Sequence, residues 1–494
     1  MGKKRTAILW IRNDFRIKDN FALSQAEQYD EVLPVFIWND KDKNPWKRGA
    51  ASKWWLHHTI LQFRESLKSY GSQLILLRGS PEEEILRVAR LVQASDVLCN
   101  HTHHPHDLIA DQTLQGLLEK EGICFQSFHG SLLCPVDELC KKDGEPYLVY
   151  TPFWKNFLKT YEIKILVRPK TVPPVPQKAK NSGCSVEDLN LLPRQKWHEA
   201  FHLHWSVGEA ASEKKLKDFI AKGLMSYDKL RDFPATDGTS TLSPHLHFGE
   251  IHPQRVLYEI VKKFGKLSDI KNENVMQFCR EILWREFSYH LLHHFPDTPD
   301  EPLRERFRNF PWKNNKKGLH AWCRGQTGYP VVDAGMRQLW SVGWMHNRVR
   351  MISASFLVKH LGIPWQEGAK WFWDTLVDAD LANNTQGWQW TAGCGADAAP
   401  FFRIFNPITQ GEKFDPDGSY IARWCPELGR LAPKWICRPW EAPVHILNEA
   451  GVRLGDNYPL PIVDHKEARE QALWNYESLK SQAGSPSGSC PGSS

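Results

Sequence analysis

Two hydrophobic patterns alternate along the first 130 residues. TAILWI (6–11), EVLPVFIW (31–38), QLILLRG (73–79) and DVLCN (96–100) are almost uninterrupted apolar runs, the signature of strands buried on both faces. Between them lie stretches whose apolar residues recur every three and four positions. The longest is AASKWWLHHTILQFRESLKSYG (50–71). The alternation predicts a Rossmann-like α/β domain with an open parallel sheet over 1–135, where ligands sit outside the carboxyl ends of the strands. A glycine-rich dinucleotide fingerprint is absent after the first strand, where WIRNDFRIKDNFAL (10–23) stands instead. Over 136–205 the periodicity lapses. VRPKTVPPVPQKAKNSGCSVEDLNLLP (167–193) is rich in Pro, Lys and Ser and predicts an interdomain connector. From 206 to 475 helical spacing returns with short loops, which predicts an all-α second domain. Residues 476–494 end in low-complexity sequence and are expected to form a disordered tail.

The 494 residues exceed what one compact core accommodates, in keeping with two domains. No run of 18 apolar residues occurs, so no membrane span is expected. MGKKRTAILW lacks an apolar signal region, and in a bacterium the expected location is the cytoplasm. The 11 cysteines include no CxxC pair, which points to a reduced compartment and away from a disulfide framework or zinc site. A net charge of +6 permits a polyanionic partner without requiring one. The 22 tryptophans are more than core filling calls for and suggest stacking or electronic roles.

Several stretches carry candidate chemistry. In DGTSTLSPHLHFGEI (237–251), Ser243 before Pro244 reads as an N-cap and first-turn pair. Thr239, Ser240 and Thr241 add hydroxyls beside it. A phosphate site and a simple capped helix are both open readings. In FCREILWREFSYHLLHHFP (278–296), Glu281, Trp284, Arg285 and Ser288 share one helical face, either a pocket wall or a solvated surface. In GWMHNRVRM (343–351), Asn347 and Met351 stand one turn apart with Arg348 and Arg350 between them. Asn can pair with a base edge and Met can pack beneath it; the alternative is an amphipathic helix with two exposed arginines. NHTHHPHD (100–107) fits no zinc spacing and reads as a polar loop. DADLANNTQGWQW (378–390) sets two carboxylates and two adjacent amides before two tryptophans, a pattern that cores do not use.

EILWREF (281–287), GWMHNRVRM (343–351), DADLANNTQGWQW (378–390) and WIRNDFRIKDNFAL (10–23), with RDFPATDGTSTLS (231–243), TGYPVVDAGMRQL (327–339), DAAPFFRIFNP (397–407) and GAASKWWLHHTI (49–60), resemble the photolyase/cryptochrome family. The resemblance is closest to class I cyclobutane pyrimidine dimer photolyases. It implies an α/β antenna domain joined to a helical FAD-binding domain. It implies FAD contacts at Tyr227, Phe278 and the 239–243 segment (Thr239, Ser240, Thr241, Leu242, Ser243), the segment at the phosphates. Arg350, Asp378, Ala379, Asp380 and Asn384 would lie about the flavin, with Arg350 on Asp378 and Asn384 facing flavin N5. Trp388, Trp365 and Trp312 would form an electron-transfer row. Glu281, Trp284, Asn347, Met351 and Trp390 would hold the lesion, with Arg231 and Arg348 at phosphate or the rim. The implied enzyme is a deoxyribodipyrimidine photo-lyase, a monomer acting on UV-damaged DNA. Photoexcited FADH− would pass one electron to a flipped-out dimer, and Glu281 would stabilise the resulting radical anion. A cryptochrome-like blue-light photoreceptor is the alternative. A second, antenna chromophore (folate, deazaflavin or flavin) stays open: Asp107 is shorter than the family's glutamate, and the partner lysine is not evident in FPDTPDEPLRER (295–306). No metal is expected.

Overall fold

The computed structural model describes residues 4–163 and 168–483. Five parallel strands, β1 (Thr6–Ile11), β2 (Glu31–Trp38), β3 (Ile75–Arg78), β4 (Asp96–Asn100) and β5 (Cys124–Phe128), lie in the order β3-β2-β1-β4-β5. Central β1 is buried along its length, with Ala7 in register with Val32 on one side and Asp96 on the other. Four strands are the four apolar runs. The fifth was not anticipated: β5 is an edge strand on β4, and its CFQSF sequence is partly exposed, so it lacks a continuous apolar signature.

Both sheet faces are covered, as a parallel sheet requires. The 20-residue helix Ala50–Ser69 buries Trp54, Trp55, Ile60, Phe63 and Leu67 against one face. Its start also meets the helical half of the chain. Ala50 N–H donates to Asp374 at 2.9 Å, and a Cβ on Gly49 would lie 2.3 Å from the Trp373 carbonyl oxygen, so only glycine permits this approach.

The segment expected as a connector is more structured than its composition suggests. Tyr150–Thr160 is a helix whose Tyr150, Phe153, Trp154 and Phe157 are buried in the helical half. Further on, the chain returns to the sheet: Val32 N–H donates to Pro174 O at 3.1 Å, and Cys184 N–H to Leu76 O at 2.9 Å.

From Glu209 onward the chain is helical. Four helices position the site: Glu273–His294, Asn347–Ser355, Trp365–Thr375 and Leu381–Ala392. The last is capped by Asp380, which accepts from Asn383 N–H at 2.9 Å, and ends at Gly393 with φ of 81°. The final helix, His465–Ala483, runs into the stretch expected as a tail. Amphipathic spacing continues there, with Tyr476 and Leu479 buried. Residues 484–494 of that expected tail lie outside the described residues. A parallel-sheet domain joined to an all-α domain is the architecture the periodicity predicts.

Candidate functional site

Two side chains from distant elements converge on Asp378. The Arg350 guanidinium donates to both its carboxylate oxygens, at 3.0 and 2.8 Å, and the Ser243 hydroxyl donates to Oδ2 at 2.6 Å. Arg350 is oriented by a second bond from Nε to the Met345 carbonyl, 2.7 Å. Ser243 is therefore not the helix cap that its place before Pro244 predicts. Leu242 holds the cap position without a side-chain bond, and the hydroxyl turns to a buried carboxylate, the stronger acceptor.

Asp380, 5% exposed, is the more heavily hydrogen-bonded carboxylate. It accepts from Asn383 N–H and Nδ2, from the Tyr289 hydroxyl, and faces the His247 ring nitrogen at 3.4 Å. Burial opposes its ionisation. The hydrogen bond and charge of His247, with Arg285, outweigh burial and hold the carboxyl well below its usual range. Asn384 differs from its neighbour Asn383: its Nδ2 donates to the Ala369 carbonyl at 3.1 Å, which anchors it on the Trp365–Thr375 helix.

The 239–243 segment is rich in hydroxyls, and Ser240 Oγ accepts from Leu242 N–H at 3.4 Å. Thr241 adopts φ of 48°, and Gly238 passes so close to Leu230 that a Cβ would lie 2.4 Å from its carbonyl oxygen. Lys215, which sequence reasoning missed, donates to the Thr241 hydroxyl at 2.7 Å. Burial lowers its pKa. It lies within the charged run EKKLKDF (213–219), which reads as a solvated face, and nothing local marks it. A partly buried ammonium on the Thr241 hydroxyl, in a segment that also carries Thr239 and Ser240, is a donor set suited to a diphosphate. Tyr227 and Phe278 are buried together, their rings 5.3 Å apart.

The Glu273–His294 helix carries the other side of the site. Arg285 and Ser288 on the predicted face are buried, while Glu281 and Trp284 are half-buried, so this face is a wall and not a solvated surface. Arg285 pairs with Glu286 at 3.0 Å and lies 4.8 Å over the Tyr289 ring. Burial pushes the Glu286 carboxyl up to about 7 despite Arg285. Tyr150, also missed, stacks on Trp284 at 3.8 Å and 9°, and Phe287 meets the same indole edge to face at 5.7 Å. Glu281 is held by Arg231 and by Gln277 Nε2 at 2.7 Å. Arg348 pairs with Asp232 at 2.6 Å. Asn347 is exposed at the start of its helix, its Nδ2 4.0 Å from Met351 Sδ, and Trp390 is half-buried.

Trp388 and Trp365 are buried at 2% and 1% exposure in one core cluster, and the half-buried Trp312 packs against that cluster. The Trp388 ring lies on Gly368, one turn along the helix that Trp365 begins. Trp312 packs on Phe310 at 4.3 Å.

A cavity of about 310 Å³ opens at the carboxyl ends of β1, β2 and β4. Trp10, Arg12, Trp38, Arg48 and Asp107 line one side; Arg285, Tyr289, Ala379 and Asp380 line the other. Arg12 binds Asp111 with two contacts of 2.8 Å. Among the described residues Arg48 hydrogen-bonds only Asn13, its guanidinium lies 5.3 Å over the Phe248 ring, and burial lowers its pKa to about 10. The NHTHHPHD stretch is not merely a polar loop: His103 is 7% exposed, lines this cavity and meets Tyr289 edge to face at 5.6 Å. Its half-buried neighbours His101 and His104 and the exposed His106 give the stretch no apolar spacing that marks His103.

Comparison with known proteins gives consistent matches. Residues 7–177 match the family model described as DNA photolyase, and residues 278–478 that described as the FAD binding domain of DNA photolyase. A deoxyribodipyrimidine photo-lyase of Agrobacterium fabrum is 45% identical over 97% of this chain and 99% of its own. Cryptochrome-2 of Arabidopsis thaliana is 40% identical over 95% of this chain and 78% of its own. The crystal structure of a bacterial class III photolyase from Agrobacterium tumefaciens superposes with a TM-score of 0.92 at 44% identity, covering 97% of this chain and 99% of that one. The likeness to class I enzymes expected from the motifs is thereby corrected to a likeness to class III.

Proposed function

The chain belongs to the photolyase/cryptochrome family, and from that membership we propose that it is a light-driven enzyme that reverses cyclobutane pyrimidine dimers in DNA with a bound FAD. The observation that carries this reading is that one helical domain holds both the Ser243–Asp378–Arg350 junction and a half-buried face of Glu281 and Trp284.

The residues present fit FAD. Lys215 with Thr239, Ser240 and Thr241 would hold the diphosphate; Tyr227, Leu242 and Phe278 would wall the cofactor; Arg350, Asp378, Ala379, Asp380 and Asn384 would surround the ring system. When bound and reduced, FAD supplies one electron on absorbing blue light and recovers it once the dimer has split. Asn384, a neutral amide, adds no charge beside the ring. Trp388, Trp365 and Trp312 would pass electrons inward from the surface.

On the substrate side, a cyclobutane dimer stacks and pairs poorly, so flipping it out of the duplex costs less than flipping an intact base. Trp284, braced by Tyr150, and Trp390 would pack against it. Asn347 would bind a base edge with Met351 beneath. Glu281 would hydrogen-bond a dimer carbonyl and stabilise charge that builds there. Arg231 and Arg348 would meet phosphate or the pocket rim. In the cavity at the strand ends, Arg48 would favour an anionic group on a second chromophore, whether folate, deazaflavin or flavin.

The 40% identity to a plant cryptochrome supports a second reading, a blue-light photoreceptor built on the same flavin and tryptophan row. Glu281, Asn347, Met351 and the two pocket tryptophans favour repair. The test is binding of the FAD-loaded, chemically reduced protein, kept dark, to an oligonucleotide with one thymine dimer and to its intact counterpart. Strong preference for the damaged strand, lost after blue light, supports repair; equal binding before and after light favours the photoreceptor.

A further inference from the structure

Both arginines assigned to the DNA side already have acidic partners, and the pairs are chained. Arg348 Nη2 lies 2.6 Å from Asp232 Oδ2, Asp232 Oδ1 lies 3.9 Å from Arg231 Nε, and Arg231 in turn grips Glu281. Two positive and two negative side chains thus cancel across the rim of the proposed lesion pocket. Their exposures, 17% for Arg348 and 30% for Asp232, place the bridge between dry interior and open water. It is also braced: Phe233, next to Asp232, meets the Phe414 ring at 6.3 Å, and the Arg348 guanidinium lies 4.4 Å over that same ring. Arg348 Nε is buried and makes no bond among the described residues, so the guanidinium's partners lie at its outer end, toward Asp232.

A carboxylate and a phosphate offer a guanidinium the same pair of acceptor oxygens. Asp232 therefore occupies the arginine edge that a DNA phosphate would use. We propose that Asp232 determines specificity: it competes with DNA phosphate for Arg231 and Arg348, so that DNA opens the bridge only when it also supplies lesion contacts in the pocket. This rests on the DNA-repair reading above. Intact duplex offers phosphate alone, and exchanging one anion for another adds little affinity. A flipped-out lesion adds stacking on Trp284 and Trp390 and hydrogen bonds to Asn347, which drive the exchange.

Asp232→Asn keeps the shape and removes the charge. Binding to intact DNA should tighten roughly fivefold at low salt. The slope of log affinity against log salt should steepen by about 1 to 2, since each added phosphate contact contributes roughly 0.9. Binding to dimer-containing DNA should change less, so the ratio between the two falls. The experiment is an anisotropy titration of the FAD-loaded protein against damaged and intact oligonucleotides of one sequence over a salt series. It compares the parent with Asp232→Asn, Asp232→Ala and Asp232→Glu, with bound-flavin absorbance and melting temperature checking the fold. Asp232→Glu retains the charge and should restore the parental ratio. Unchanged or weaker binding of intact DNA by the Asn and Ala variants, with an unchanged salt slope, overturns the proposal, because the carboxylate would then only orient the arginines. A parent that shows no preference for damaged DNA overturns the repair reading instead, while the variants' salt slopes on intact DNA still decide the bridge.

Discussion

Replacing Gly368 with alanine tests the tryptophan row without touching a tryptophan. A Cβ at that position would lie 2.0 Å from Trp388 Cη2, 2.5 Å from its Cζ3 and 2.6 Å from Leu357 Cδ2, whereas ordinary contact begins at 3.4 Å. The ring or the helix must therefore move by more than an ångström. Trp388 has little room: it is 2% exposed, with Phe372 at 5.0 Å and Trp322 at 6.1 Å. Overpacking of this kind costs about 1–3 kcal/mol. The gain in helix propensity from Gly to Ala returns roughly 0.5–1 kcal/mol, so the net loss of stability is modest and the fold survives. The electron path through a displaced indole is what suffers. The assay follows bleaching of oxidised flavin under blue light with an external reductant, alongside the melting temperature. Gly368→Ala should photoreduce severalfold more slowly than the parent and approach Trp388→Phe, yet chemically reduced protein should repair at the parental rate. Parental photoreduction with an unchanged melting temperature would refute the packing of Trp388 on this helix as the basis of the row.

Trp388→Phe itself should abolish most photoreduction while sparing repair by chemically reduced protein; equal bleaching in mutant and parent would remove Trp388 from the row. Glu281→Ala should slow repair with FAD content unchanged, and an unaltered repair yield per photon would remove its role at the dimer. Lys215→Met should weaken FAD retention about tenfold or more, the worth of a charge-assisted bond; undiminished flavin after extensive dilution would take Lys215 out of the cofactor site. Glu286 has its folded pKa raised by burial to about 7 from an ordinary 4.5, so the folded state holds the proton more tightly. Its contribution therefore destabilises the fold progressively as pH rises from about 4.5 through 7. The melting temperature of Glu286→Gln relative to the parent should climb between pH 5 and pH 8, approximately the window set by these two values; a flat difference would contradict the buried, protonatable carboxyl.

Much of the fold is legible locally. The four apolar strands and the Ala50–Ser69 helix announce themselves by period, because each buries a face that its own residues define. β5 escapes because an edge strand needs no such face, and the Tyr150–Thr160 helix is masked by the proline-rich segment after it, although its aromatic spacing is visible in hindsight. The site is legible as residue types but not as partners. Ser243 meets Asp378 across 135 positions and Tyr289 meets Asp380 across 91, pairings that no local pattern encodes. Lys215 and Asp232 look like surface charges until the chain folds them against Thr241 and Arg348.

The most direct measurement is light-dependent recovery of thymines. Protein loaded with FAD and reduced without oxygen is mixed in the dark with an oligonucleotide bearing one thymine dimer, then illuminated with blue light, and intact thymines are counted by chromatography. Stoichiometric restoration in the light, none in the dark, and none with the oxidised protein before it has photoreduced are the predicted results. A dimer that stays closed under illumination, with reduced flavin bound and DNA engaged, would contradict repair as the function of this site.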